Sequence, residues 1–171
     1  MIGKGKSISH GTAALEYDLA KEIDGQTAAI EIARHELYGC TGAEMVQEMK
    51  PYHADFPNVK NNCLRFEVSP SIEESATFTD ADWAELGNDF MQRMGLANHQ
   101  YIIIRHSGTE SKKEQAHLHI LANRVSLSGE LYRDNWIGKK ATEAANAIAK
   151  ERNFVQSQDI GKVNKAEIKE A

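Results

Sequence analysis

Cysteine is scarce in this chain: there are two, Cys40 and Cys63, far apart and without CxxC spacing. That number cannot build a disulfide scaffold, and a reduced pair of half-buried thiols with no functional role is the expectation. Long apolar runs are missing as well. No stretch approaches the roughly 18 residues that a membrane-spanning helix needs, so insertion into a bilayer is not expected. The N-terminus, MIGKGKSISH, is basic but carries neither the apolar core nor the small-residue cleavage site of a secretory signal. The cytoplasm is then the simplest compartment. Internal repeats, glycine-rich phosphate loops and heptads are also missing. Positive charge is in deficit, 20 Lys and Arg against 25 Asp and Glu, for a net charge of -5. This argues against a protein whose whole surface binds nucleic acid.

What is present suits one soluble globular domain: 171 residues, 41% hydrophobic and 26% charged. We expect a domain over 1–155 and a polar tail or linker start over 156–171, where KVNKAEIKEA has little to bury. Charge is unevenly spread. Acid gathers in SIEESATFTDADWAEL, while base appears at Lys4, Lys6, Arg124, Arg133, Lys139 and Lys140. An acidic chain can thus still present one basic groove.

Along the chain, MIGKGKSI reads as a first strand or an extended arm. GTAALEYDLAKEI has a candidate cap in Thr12 and an i, i+4 stripe of Leu15, Leu19 and Ile23, predicting a helix to about residue 24. Residues 27–37 read as a strand, and GAEMVQEMK as a helix limited by Pro51. CLRFEVSPS alternates cleanly, with Leu64, Phe66 and Val68 on a core face and Arg65, Glu67 and Ser69 on the other. A helix is predicted from Asp80 to Gly95, with Trp83, Leu86, Phe90, Met91 and Met94 as its apolar side. QYIIIRH and AHLHILANRV then form a hairpin, and NWIGKKATEAANAIAKERNF a final alanine-rich helix.

Two features carry chemistry. His117 and His119, one residue apart in a strand, point the same way, and an antiparallel register setting His106 opposite His117 adds a third imidazole. Three neutral imidazoles on a hairpin suit a divalent metal with positions left open. His10, His35, His53 and His99 have no comparable context. Tyr17 is the second feature: at about 100° per residue it lies opposite Leu15 and Leu19, which leaves its hydroxyl outside the core.

Together these pieces resemble the relaxases, the mobilisation nucleases of conjugative and mobilisable elements within the HUH endonucleases. The resemblance runs from MIGKGKSISHGTAALEY through CLRFEVSPS, YIIIRH and HLHILANRV to WIGKKATEAANAIAKE. It implies that Tyr17 attacks a DNA phosphate, that His106, His117 and His119 hold a divalent ion, and that Ser69, Asn123 and Arg124 contact DNA. The first-histidine segment, HSGTESKKEQAHLH, is longer than usual, and Glu110 or Glu114 would supply the acid that often follows that histidine. Lys4, Lys6, Arg124, Lys139 and Lys140 are candidate phosphate contacts. Trp136 either stacks a base or packs beneath the last helix.

The expected architecture is α+β: a central antiparallel sheet, helices mainly on one face, the metal site on the other. The expected function is site-specific nicking and rejoining of single-stranded DNA at a transfer origin, with accessory mobilisation and coupling proteins as further partners. Imidazole ligands favour Mn²⁺ or a later transition ion over Mg²⁺, which prefers oxygen. A rolling-circle initiator usually places its tyrosine after the histidines, whereas Tyr17 precedes them. A non-catalytic DNA-binding accessory protein and a structural zinc site are the remaining readings.

Overall fold

The structure, a computed structural model, describes residues 1–109 and 115–157. The expectations for Glu110, Glu114 and residues 158–171 lie outside the described residues. Five strands form one antiparallel sheet: β1 (Ile2–Ile8), β4 (Ala29–His35), β5 (Cys63–Ser69), β6 (Tyr101–His106) and β7 (His117–Asn123). Their order is β1-β5-β7-β6-β4, so the two histidine strands pair next to the strand of strictest alternation. MIGKGKSI is therefore an edge strand, held to β5 along its whole length.

One face of the sheet carries Leu64, Phe66, Val68, Ile103, Leu118, Ile120 and Ala122. It packs against α4 (Asp80–Arg93), which follows the single-turn α3 (Ile72–Ser75), and against α5 (Ile137–Glu151). Helix α4 starts where the sequence predicts because Thr79 and Asp82 exchange side-chain-to-backbone hydrogen bonds as a capping box. Its Phe90 ring meets Phe66 edge-on at 5.5 Å. The alanines of α5 allow close approach to β1: a Cβ on Gly3 would lie 2.4 Å from the Ala141 carbonyl oxygen.

The opposite face carries Ile8, Cys63, Ile102, Ile104 and Leu121 under α1 (Gly11–Leu19) and α2 (Gly42–Met49). The two longest helices thus share one face. The histidine face is partly roofed by α1 and α2 rather than left open. Cys63 is buried, which pushes its thiol up to about 11, and Cys40 is exposed and free. Among the described residues no helix is long and apolar enough to cross a membrane.

Three local expectations need correction. Helix α1 stops at Leu19, not near residue 24, because β2 (Glu22–Ile23) and β3 (Gln26–Thr27) form a small hairpin. Its turn residues Asp24 and Gly25 have φ of 53° and 75°, the conformation that Asp-Gly favours in two-residue hairpins. Thr12 does not cap the helix; His10 occupies that position without a side-chain hydrogen bond. Trp136 does not pack beneath α5, since it is 78% exposed.

Candidate metal centre

The β6–β7 register sets His106 directly opposite His117, with Ile104 opposite His119. Side-chain alternation then brings all three imidazoles to the same face. One ligand-capable nitrogen from each lies within 4.8 Å of the others, so the trio could hold a metal ion. His106 and His117 are buried, and His119 is half-buried.

Hydrogen bonds outside the trio orient the rings. His106 Nε2 donates to the main-chain carbonyl of Asp18 at 2.7 Å, leaving Nδ1 with the lone pair. His117 Nδ1 donates to the Gln115 carbonyl at 2.9 Å, leaving Nε2. That strand start is itself pinned, because Gln115 Nε2 donates to the Pro70 carbonyl at 2.6 Å. His119 Nε2 lies 3.0 Å from His117 Nε2, while its Nδ1 is buried without a hydrogen-bond partner. The Asp18 carboxylate stands 4.0 Å from that Nδ1.

This arrangement fits a divalent cation. If His119 Nε2 presents its lone pair to an ion, its proton sits on Nδ1 and faces the Asp18 carboxylate. The opposite tautomer would turn a lone pair toward that carboxylate. Burial, followed by the neighbouring His106 and His117, pulls His119 down to about 2; burial also lowers His106. Both rings are then neutral and ligand-competent at physiological pH.

Asp18 is the residue of this cluster that sequence reasoning missed. It is 1% exposed and binds Arg65 through both carboxylate oxygens, at 2.5 and 3.2 Å. It directly follows Tyr17, so the turn of α1 that meets the histidines also carries the tyrosine. Tyr17 itself is 61% exposed, with Lys21 Nζ 5.6 Å from its ring centroid. An open cleft of about 220 Å³ lies beside His119, lined also by Lys4, Lys6, Arg65 and Glu67. Lys4 and Lys6 pair with Glu67 and Arg65 across β1–β5 and thus point to the histidine face. Ser69 ends β5 one residue beyond the Val68–Leu118 pair, level with His117.

Two residues expected to contact DNA are held by hydrogen bonds inside the fold. Asn123 is fully buried: its amide donates to Met49 O and Gln100 Oε1 and accepts from His53 Nε2 and the Val125 N–H. No donor or acceptor remains for DNA. Arg124 is a structural clamp on Tyr132 O (2.9 Å), Asn61 O (3.1 Å) and Asp134 (3.3 Å). His53 and His99 belong to the same network, as His99 Nδ1 donates to the Asn123 carbonyl at 2.7 Å. Lys139 and Lys140 stand on α5, which packs on the other face of the sheet from the histidines.

The chain matches the family described as "Relaxase: MobA/VirD2-like, nuclease domain" over residues 17–154. It belongs to that family, and the matched segment begins at Tyr17 and contains all three histidines. A comparison with curated proteins finds no match. Among solved structures, one from work on the molecular basis of vancomycin resistance transfer in Staphylococcus aureus is similar. It has a TM-score of 0.48 and 14% identity, covering 90% of this chain and 95% of that one.

Proposed function

We propose that this domain nicks and rejoins a specific single strand of DNA at the transfer origin of a mobile element, in the cytoplasm, through a covalent tyrosyl intermediate. The observation that carries the reading is the convergence of three imidazoles, two buried and one half-buried, against the helix turn that holds Tyr17 and Asp18.

In this reading Tyr17 is the nucleophile. Its oxygen forms a bond to the scissile phosphorus and loses its proton. The phosphorus–O3′ bond breaks, and the leaving oxygen is protonated to a free 3′-hydroxyl. The DNA 5′ end stays on Tyr17 as a phosphodiester, so the 3′-hydroxyl can reverse the reaction with little loss of bond energy. A phenol hydroxyl is a poor nucleophile until its proton is removed, so the attack needs assistance at neutral pH. His106, His117 and His119 would hold the divalent ion, which, when bound, neutralises charge developing on the phosphate. Neutral imidazoles set no negative charge against the incoming strand, and they favour Mn²⁺ or a later transition ion over Mg²⁺. Arg65 keeps the buried Asp18 carboxylate beside them paired.

Lys4 and Lys6 supply phosphate contacts along the cleft, Ser69 sits by His117 for a contact near the nick, and Lys139 and Lys140 serve strand beyond the sheet edge. Accessory mobilisation and coupling proteins would complete the assembly.

The test is incubation with Mn²⁺ and single-stranded oligonucleotides spanning the origin of the element that encodes the chain, read on a denaturing protein gel. A covalent adduct lost in Tyr17→Phe and in chelator is the expected result. DNA binding without an adduct would overturn the catalytic reading in favour of an accessory DNA-binding protein.

A further inference from the structure

Trp136 is the most exposed large hydrophobic side chain among the described residues, at 78%. Its backbone is also unusual, with φ 59° and ψ 28°, a left-handed conformation that bulky residues rarely adopt. Anchors on both sides impose it. Asp134 accepts from Ser7 Oγ at 2.7 Å and pairs with Arg124, and its carbonyl accepts from the Ile137 N–H at 3.2 Å. Ile137 is buried in the core under α5. Between these fixed points the indole is turned out into water. Folding gains neither burial nor backbone relaxation from a tryptophan here, which points to a role in binding.

The surroundings define the ligand. Gly138, two residues on, packs its backbone near Gly5: a Cβ there would lie 3.7 Å from the Gly5 carbonyl oxygen. Gly5 stands between Lys4 and Lys6 and lines the same cleft as His119. Arg133 and Lys139 flank the indole in sequence and are exposed; of the nearby acids, Asp134 is paired with Arg124 and Glu143 stands 4.0 Å from Lys139 Nζ. An exposed aromatic ring in a cationic rim beside a basic cleft suits a nucleic-acid strand with unpaired bases. An apolar protein partner would leave those charges desolvated.

We propose that Trp136 is a stacking platform for one unpaired base of a DNA strand that runs over β1 toward the histidine centre. This rests on the nuclease reading above and adds a base-binding subsite at the sheet edge. A ring face accepts any base, so the subsite contributes affinity and strand path rather than sequence choice. Paired bases in a duplex offer no free face, which makes the platform selective for single strands.

The chain has two tryptophans, and the other, Trp83, is 2% exposed against Phe78. Intrinsic fluorescence therefore reports Trp136 directly. The experiment titrates the protein, in chelator, with a 20-nucleotide oligothymidylate and with a duplex of equal length. Binding is followed in parallel by anisotropy of a labelled strand. The expected result is quenching by the single strand and not by the duplex, absent in Trp136→Phe, whose remaining Trp83 is shielded. Trp136→Ala, with unchanged circular dichroism, should bind the single strand about 5- to 100-fold more weakly, and Trp136→Phe should recover most of that loss. Single-strand binding without quenching, or an unchanged Trp136→Ala affinity, overturns the stacking proposal and leaves the nuclease reading standing. Absence of single-strand binding in the wild type overturns the stacking proposal, while the origin-strand adduct assay tests the nuclease reading separately.

Discussion

Asp18 accepts a hydrogen bond from His106 Nε2 on its main-chain carbonyl, at 2.7 Å, and so ties the residue after Tyr17 to the histidine cluster. The carboxylate of the same residue faces His119 Nδ1 and binds Arg65. One helical residue thus bears on two of the three imidazoles and on a cation of β5.

Replacing Asp18 by Asn keeps the carbonyl and removes the charge opposite His119 Nδ1. Outer partners of metal-bound histidines typically contribute about 10- to 100-fold in affinity. Asp18→Asn should therefore bind Mn²⁺ weaker by about that factor in isothermal titration. Stability should also fall by roughly 2 kcal/mol in urea, because the Arg65 pair is broken but Arg65 still reaches solvent. Unchanged Mn²⁺ affinity would show that the carboxylate serves only Arg65.

The same pair of residues marks the limit of what sequence reasoning reaches. Strand β5 and helix α4 are legible because each repeats one period cleanly; parity in one hairpin puts the three histidines on one face, while the pairing of His106 with His117 comes from the structure. Helix α1 is misjudged at its end because Ile23, in β2, extends by coincidence the i, i+4 stripe of Leu15 and Leu19. The Asp24-Gly25 turn signal was the competing cue. Nothing local distinguishes Asp18 from a solvated helix acid, since its burial comes from Arg65, 47 residues away. Asn123 and Arg124 sit beside the histidine strand in sequence, but tertiary hydrogen bonds consume both.

His99 should give the fold a pH dependence away from the histidine cluster. Burial lowers its pKa, only partly offset by its hydrogen bond to the Asn123 carbonyl and by Glu130. The native ring stays neutral where the unfolded one, near about 6.5, takes up a proton. Below that pH the unfolded state binds more protons, so stability falls as pH drops. Urea midpoints should decrease from pH 7.5 to 5.5, and His99→Gln should shrink that decrease. An identical slope in the variant would assign the effect to other groups.

Gly3 sets the distance between β1 and α5. A methyl group there would meet the Ala141 carbonyl oxygen at 2.4 Å and the Ala145 Cβ at 2.8 Å, and neither is the end of a flexible chain. Gly3→Ala should lower stability by about 2 kcal/mol or more through this overpacking, seen as an earlier thermal transition. A neutral result would mean that α5 shifts without cost.

Lys4 and Lys6 can be separated from Arg124 by salt. The two lysines are exposed beside the cleft, and each phosphate contact to a single strand contributes about 0.7 to the slope of log affinity against log salt. The double variant Lys4→Ala, Lys6→Ala should therefore bind an oligonucleotide with a slope smaller by roughly 1.4, at unchanged stability. Arg124→Ala should do the reverse. It loses bonds to Tyr132 and Asn61 and the Asp134 pair, so the chain should unfold about 1–3 kcal/mol more easily. Its salt slope should match that of the wild type, because the guanidinium is already committed within the fold. A reduced slope in Arg124→Ala would place that guanidinium on DNA and require its three contacts to open on binding.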